Sequence, residues 1–177
     1  MRLVRNLFIG LVVLVILLVA GAYLLPRNVV VERQITIDAP PEEVFPLVNS
    51  LRRGQEWSPW MALDPNVQVT HSGPEAGVGA TMEWRSDEPS VGDGRQEIVE
   101  SVENERVVTA LDFGDMGTAE AWFDLAGSGG DTTVTWGLDM DMGNNPIGRW
   151  MGLTMDGLVG GDYETGLANL KALAEAG

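Results

Sequence analysis

Residues 35–45 join the end of a strand to the start of a helix, and they read Ile35-Thr36-Ile37-Asp38-Ala39-Pro40-Pro41-Glu42-Glu43-Val44-Phe45. Side chains alternate from Val29 to Ile37 with the period of two that is typical of a half-buried strand. Proline is tolerated in the first turn of a helix, and the two glutamates suit the positive end of its dipole. The sequence therefore predicts a first strand and then a short helix from Pro41 to about Asn49, which Pro46 kinks or ends early.

The chain that follows predicts a sheet built from consecutive strands. Leu51 to Leu63 has no clear period and predicts a second short helix or a turn beneath the sheet. Six further segments alternate like strands, and most are bounded by glycine or asparagine turns. These segments are Val67–Ser72, Ala80–Arg85, Arg95–Val102, Arg106–Phe113, Thr118–Leu125 and Thr132–Met142. With the first strand they make seven, the last six in hairpin-like order.

The C-terminal segment predicts one long amphipathic helix, because apolar residues recur every three or four positions from Ile147 to Ala174. Six glycines interrupt this pattern, and each costs about 1 kcal/mol relative to alanine in a helix interior. We expect the helix to bend at Gly160-Gly161.

The N-terminal segment predicts a membrane span. Leu7 to Leu25 carries no charge and approaches the roughly 20 apolar residues that cross a bilayer as a helix. Residues 1–27 are thus expected to form a short cytoplasmic N-terminus and a transmembrane helix, and residues 28–177 a single domain. Arg2 and Arg5 favour the cytoplasmic side, which predicts a single-pass protein of the cell membrane with its domain outside the cytoplasm. The alternative is a signal peptide cleaved after Ala20-Gly21-Ala22, a small-x-small sequence.

Composition excludes several classes of function. After Arg27 the chain has 26 acidic and eight basic residues, a net charge of about −18, which disfavours nucleic acid as a partner. The absence of cysteine excludes disulfides, thiolate metal sites and cysteine nucleophiles. The single histidine, His71, is expected at the surface or at a strand edge, and no serine has the nucleophile-elbow setting. Four carboxylates lack the spacing of a known metal motif, so no metal or cofactor is predicted: Asp139, Asp141, Asp156 and Asp162.

The element order resembles that of the START-related helix-grip superfamily, SRPBCC, which includes polyketide cyclase-like proteins. The resemblance rests on residues 35–45, on Glu56-Trp57-Ser58-Pro59-Trp60 and on Gly166-Leu167-Ala168-Asn169-Leu170-Lys171. It implies an α+β fold in which a curved seven-stranded antiparallel sheet wraps around the C-terminal helix. It also implies a cavity for apolar or amphipathic molecules such as lipids, quinones and polyketides. Some members of the superfamily are enzymes and many only bind, so the fold alone does not select between these outcomes.

Candidate site residues follow from strand and helix faces. Large aromatic and methionine side chains suit an apolar pocket, although the same residues are ordinary core side chains. Arg149 and Tyr163 are candidates for holding a polar head. The candidate ligand-binding residues are Met82, Trp84, Trp136, Arg149, Trp150, Met151, Met155 and Tyr163. Trp122 falls on the opposite strand face and is a weaker candidate. Glu83 and Glu97 are weak catalytic candidates, because a carboxylate turned into an apolar cavity has a raised pKa and can transfer protons.

Three hypotheses remain, and they leave the oligomeric state open. The first is a membrane-tethered module that binds an apolar or amphipathic small molecule or lipid, and it makes an enzyme the less expected outcome. The second is a cyclase- or dehydratase-like enzyme that uses an inward carboxylate. The third is an envelope protein that uses the fold to contact other proteins.

Overall fold

The computed structural model describes residues 2–114 and 117–177, which form an N-terminal helix and an α+β domain. The helices are α1 (Arg2–Ala22), α2 (Pro41–Val48), α3 (Leu51–Gly54), α4 (Trp60–Leu63), α5 (Pro146–Gly152) and α6 (Met155–Glu175). The strands are β1 (Asn28–Ile37), β2 (Gln68–Ser72), β3 (Thr81–Arg85), β4 (Gly94–Val102), β5 (Arg106–Asp112), β6 (Thr118–Ser128) and β7 (Asp131–Asp141).

The seven strands form one antiparallel sheet in the order β1-β7-β6-β5-β4-β3-β2. The predicted seven strands, short helices and C-terminal helix are confirmed. β1 closes one edge by pairing with β7, the last strand of the chain, and β2 forms the other edge. An irregularity between Ile98 and Glu100 shifts the register of β4 against β5. Such bulges increase the local bend of a sheet.

The region between Leu51 and Leu63 contains two single-turn helices, α3 and α4, where the sequence predicted one short helix or a turn. The Ser50 hydroxyl caps α3 by accepting a hydrogen bond from the backbone N–H of Arg53. The Trp57 indole N–H, which lies between the two turns, donates to the carbonyl of Leu47 over 3.1 Å. This bond fixes the Trp57 ring under the sheet.

The predicted bend at Gly160-Gly161 is wrong. The helix is continuous from Met155 to Glu175, and the break lies at Leu153 and Thr154. There the Thr154 hydroxyl donates to the carbonyl of Met151 over 2.8 Å, a local bond that competes with helical hydrogen bonding. Gly160 makes room inside the fold for the guanidinium of Arg33. A Cβ at position 160 would lie 2.0 Å from Nη2 of Arg33.

α6 runs parallel to β1. It contacts the two other stretches on which the family resemblance rests, residues 35–45 and 56–60. Lys171 donates to the carbonyl of Thr36 over 2.6 Å, and Glu175 accepts from the backbone N–H of Asp38 over 2.8 Å. Asn169 donates to the carbonyl of Trp57 over 3.2 Å. The C-terminal half of α6 is therefore locked to the start of the domain.

α1 is long and apolar enough to cross a membrane, judged by its length and composition. Its most apolar stretch has a mean hydropathy of 2.7, and none of that stretch is buried in the protein. At its C-terminal end α1 meets α5: the Trp150 indole N–H donates to the carbonyl of Leu18 over 3.0 Å. The short connection to β1 then places the end of α1 beside the start of the sheet.

Candidate functional site

An aromatic cluster fills the centre of the space between the sheet and α6. Trp136 on β7 stacks on Tyr163 of α6 with ring centroids 3.9 Å apart, and on Phe123 of β6 with centroids 5.0 Å apart. Trp57 and Trp60 contact the Trp136 ring edge-to-face at 5.3 and 5.8 Å. At this level the protein's own rings occupy the interior, where the sequence predicted a cavity.

Two of the buried residues of this aromatic cluster, Trp136 and Tyr163, have a polar atom without a hydrogen bond to the described part of the chain, namely the indole N–H and the hydroxyl. Burial alone raises the pKa of Tyr163, so its hydroxyl stays protonated and can donate. Among the described residues, no side-chain nitrogen or oxygen that is sealed from solvent lacks a partner. Both donors therefore border accessible space, although their residues are only 5% and 3% exposed.

The interior is closed at one end of the sheet and accessible at the other. At the closed end several inward side chains are completely buried, among them Ile37, Ile98 and Val107. At the opposite end, several apolar side chains that pack on the core remain half-buried, among them Leu111, Phe113, Met140 and Val159. We call this the open end. It contains the first residues of β1 and the last residues of β7, and α1 adjoins it.

Four of the predicted ligand-binding residues face the interior: Met82, Trp84, Trp136 and Tyr163. Trp84 lies over Gly94 and meets Phe113 edge-to-face at 6.1 Å, beside the open end. Met82 accepts a hydrogen bond from Gln55, whose amide also lies 2.5 Å from Nε2 of His71 on the edge strand β2. Their role in binding a ligand stays a prediction.

The other predicted ligand-binding residues lie outside this interior. Trp150 and Met151 are on α5 with 39% and 55% of their surface exposed, and Trp150 contacts α1. Arg149 donates to the carbonyls of Gly143 and Leu25, both over 3.2 Å. Met155 is the half-buried first residue of α6. Helical periodicity grouped these residues with Tyr163, but the break at Leu153 and Thr154 turns α5 towards α1.

The two catalytic candidates point away from the interior, so the expectation that one of them turns inward is corrected. Glu83 and Glu97 lie on the outer face of the sheet, where Arg95 pairs with both, at 3.9 and 2.8 Å. The strand register explains this, because Met82 pairs with Gln96 on the inner face and the glutamates occupy the alternate positions. The outer face also has a groove with acidic walls, lined among others by Glu97, Asp112, Glu120, Asp139 and Asp141.

Arg33 is a structural residue that the sequence analysis did not single out. It lies on the inner face of β1, and its guanidinium pairs with Asp156 and Glu164 of α6, both at 2.9 Å. The signal was present in the alternation, which places one arginine among the apolar residues of that strand face. Arg33 thus joins the N-terminal half of α6 to β1.

A second ion pair joins the connection between α1 and β1 to the end of β7. Arg27 donates to both carboxylate oxygens of Asp141, at 2.7 and 2.5 Å. This pair, helped by the backbone N–H of Gly143, lowers the pKa of Asp141 from 3.8 to about 2. Because the pKa is lower in the folded state, the pair stabilises the fold fully above pH 4, and this contribution is lost as the pH falls towards 2.

We expect Asp141→Asn to lower the melting temperature at pH 6, and the difference from the unchanged chain to shrink steadily as the pH falls from 4 towards 2. Thermal unfolding of the two chains, followed by circular dichroism between pH 2 and pH 6, measures this. Titration of the other carboxylates is common to both chains and cancels in the difference. A difference that stays constant over this range would contradict the assigned cause.

The curved sheet gripping a C-terminal helix over an apolar interior defines a helix-grip domain. The sequence of residues 28–175 matches the model of the family described as "Polyketide cyclase / dehydrase and lipid transport", and the chain belongs to this family. The predicted membership in the SRPBCC superfamily is thereby confirmed. No curated protein matches the chain in sequence.

Solved structures with low sequence identity share the fold. Truncated norcoclaurine synthase from Thalictrum flavum is 11% identical, with a TM-score of 0.62 over 82% of this chain and 92% of that chain. A protein from Chromobacterium violaceum is 18% identical, with a TM-score of 0.55 over 82% of this chain and 96% of that chain. A protein from Arthrobacter aurescens is 15% identical, with a TM-score of 0.57 over 81% of this chain and 87% of that chain. At these identities the similarity shows the fold alone.

Proposed function

We propose that this protein is a membrane-tethered module that binds an apolar or amphipathic small molecule, such as a lipid, a quinone or a polyketide-like compound. The observation that carries the proposal is the open end, where half-buried apolar side chains lead into an aromatic interior. A site of this kind, apolar with few polar groups, is typical of small-molecule pockets. The family's description, which includes lipid transport, supports the same class of ligand.

The two buried donors of the aromatic cluster that lack a partner in the described part of the protein indicate what kind of ligand suits the interior. The Trp136 indole N–H and the Tyr163 hydroxyl both border accessible space within apolar surroundings. A purely aliphatic ligand would leave both donors unsatisfied and cut off from water, which is unfavourable. We therefore propose a ligand with an apolar body and at least one oxygen acceptor.

We propose that α1 tethers the domain to the cell membrane, with the domain outside the cytoplasm. Tethering holds the open end near the bilayer and raises its effective concentration towards lipid-soluble molecules. The length and composition of α1 support a membrane span, and a signal sequence has the same properties. An uncleaved N-terminus in the mature membrane-bound protein is the result expected for a tether.

Native mass spectrometry of the full chain, released from mild detergent, tests the binding proposal. We expect a co-purifying lipid or quinone as added mass, or a thermal shift with members of a lipid and quinone panel. A chain without added mass that shows no shift with any member of the panel would contradict the proposal.

Tyr163→Phe tests the assigned donor. It should weaken binding of the responding ligand about two- to tenfold, the contribution of one neutral hydrogen bond. Its stability without ligand should be nearly unchanged, because the hydroxyl has no partner in the described protein. The matched control is Tyr23→Phe, since Tyr23 is the only other tyrosine and its hydroxyl donates to the carbonyl of Asn144, outside the interior. Equal affinities for the two variants would exclude Tyr163 as a ligand contact.

A further inference from the structure

Exposed apolar side chains are concentrated on one short part of the domain. Beyond Leu24, ten large apolar residues of the described chain are exposed, and five of them lie within residues 147–158. These five are Ile147, Trp150, Met151, Leu153 and Leu158. The other five are dispersed over β1, α4, the loop after β2 and β4, as isolated exposed apolar residues commonly are. We call α5 with the start of α6, residues 146–158, the apolar shoulder.

The apolar shoulder is fixed to the end of α1 by several contacts. The Trp150 indole donates to the carbonyl of Leu18, and its ring packs against Gly21, where a Cβ would lie 3.4 Å from the ring. The Arg149 guanidinium donates to the carbonyl of Leu25 and lies 5.3 Å from the centre of the Tyr23 ring. A cation at this position also complements the negative end of the α1 dipole. The domain is thus held to α1 through side-chain contacts as well as through the connecting chain.

The contact with Leu18 determines the depth of the apolar shoulder once α1 spans a membrane. A helix of 21 residues is about 31 Å long, close to the roughly 30 Å of bilayer hydrocarbon. Leu18 precedes the last residue of α1 by four positions, which is about 6 Å along the axis. The Trp150 ring therefore reaches the boundary between headgroups and acyl chains, where tryptophan is enriched in membrane proteins.

The charges of this segment agree with a position at the membrane surface. Residues 143–155 contain no acidic side chain and one basic one, Arg149, in a chain that has 26 acidic residues. An arginine can keep its charged end in the headgroup layer while neighbouring apolar side chains enter the acyl region. Asp141 and Asp156, which flank the segment, are paired with Arg27 and Arg33.

We propose that the apolar shoulder lies in the polar-apolar boundary of the outer leaflet, so that the open end of the domain faces lipid. The partner of this surface is the bilayer itself. Since the open end adjoins α1, a ligand could move between the acyl region and the interior without crossing water. This inference rests on the membrane tether of the proposed function, and it adds the orientation of the domain and the route of the ligand.

Spin labels at single cysteines test the orientation, because the chain has no cysteine of its own. The full chain is reconstituted into phosphatidylcholine vesicles with the label at Leu153→Cys, which is 60% exposed and leaves the core intact. The matched control is Val78→Cys, 58% exposed in the loop between β2 and β3 at the closed end. A third label at Val12→Cys, in the middle of α1, reports the membrane span itself.

The measurement compares the collision rates of each label with oxygen, which concentrates in lipid, and with a nickel chelate, which stays in water. We expect the oxygen-to-nickel ratio at position 153 to shift from the aqueous value of position 78 towards that of position 12. Equal ratios at 153 and 78, with a lipid-like value at 12, would overturn the orientation and leave the tether intact. An aqueous value at position 12 would overturn both. A label at 153 shielded from both reagents would assign the surface to a protein partner and also overturn the proposal.

Discussion

Replacing Trp136 with alanine is expected to lower the free energy of unfolding by about 3–5 kcal/mol, as large-to-small changes of buried aromatic residues do. The Trp136 ring stacks on Phe123 and Tyr163 and receives the edges of Trp57 and Trp60. Its removal leaves a void in the middle of the interior, which rigid neighbouring rings can fill only in part. Chemical denaturation of the full chain in detergent measures the loss, with tryptophan fluorescence and circular dichroism as independent probes.

The matched control for this prediction is Trp122→Ala on the neighbouring strand. Trp122 points to the outer face, where its half-buried ring covers Gly137 beside Arg106. The same atoms are deleted in both variants, so the difference between them isolates the interior position. We expect a loss of about 1 kcal/mol at Trp122, in the middle of the range for single substitutions. Equal losses would show that the cluster does not hold the sheet and α6 together.

The Trp136→Ala variant also reports on the interior as a binding site. The void adjoins the Tyr163 ring, on which Trp136 stacks, and would extend the accessible space that begins at the open end. A small aromatic compound that binds the variant and not the unchanged chain would show that Trp136 normally limits the size of the ligand. Such a compound should restore part of the lost stability, because it binds the folded state alone.

The alternation of side chains was enough to predict the sheet. Every segment with a period of two forms a strand, and the glycine and asparagine turns between them determine the hairpin order. The period also separates the faces, which is why Trp122 was correctly placed opposite the inward residues of its strand. It does not say whether an inward face is filled, since that depends on which rings meet across the interior. The stacking of Trp136 on Tyr163 joins residues 27 positions apart and has no local signature.

The catalytic candidates show a second limit of the alternation pattern. Alternation separates the two faces of a strand but does not show which of them turns inward. For β3 and β4 the answer comes from their pairing with each other and with β5, which sets Met82, Gln96 and Ile98 inward and the glutamates outward. Arg95 then satisfies both carboxylates on the outer face. A cyclase-like mechanism through an inward Glu83 or Glu97 therefore has no geometric basis in the fold.

The C-terminal segment, which forms α5 and α6, was the least predictable part of the fold, because its glycines have different structural roles. Gly152, Gly160 and Gly166 are close-contact positions, where an added Cβ would lie within 2.8 Å of Val29, Arg33 and Trp136 respectively. Gly157 and Gly161 face open space. From sequence all of them weaken a helix equally, but in the fold Gly152 allows α5 to approach the sheet, and Gly160 and Gly166 allow α6 to do so.

This difference predicts effects of opposite sign for one substitution made at two positions of the same helix. Gly166→Ala should lower the free energy of unfolding by about 1–3 kcal/mol, the usual cost of overpacking. The new Cβ would lie 2.7 Å from the Trp136 ring and 3.1 Å from Cδ of Pro59. Neither neighbour can move freely, since the ring is held in the aromatic cluster and Pro59 precedes α4. A Cβ at position 161 would have no atom within 4 Å. Gly161→Ala should therefore raise the free energy of unfolding by about 1 kcal/mol, because alanine has the higher helix propensity.

Denaturation midpoints of the two variants, measured against the unchanged chain in the same detergent, give both signs in one experiment. Because helix propensity contributes equally at the two positions, the gap between the variants reports the contact of α6 with Trp136. A stabilising Gly166→Ala would mean that α6 lies farther from the sheet, and the interior would then have room for a ligand at its centre as well as at its open end. Loss of stability at position 166 with a gain at 161 would place the ligand-accessible space between Val159 and the end of β7, beside α1.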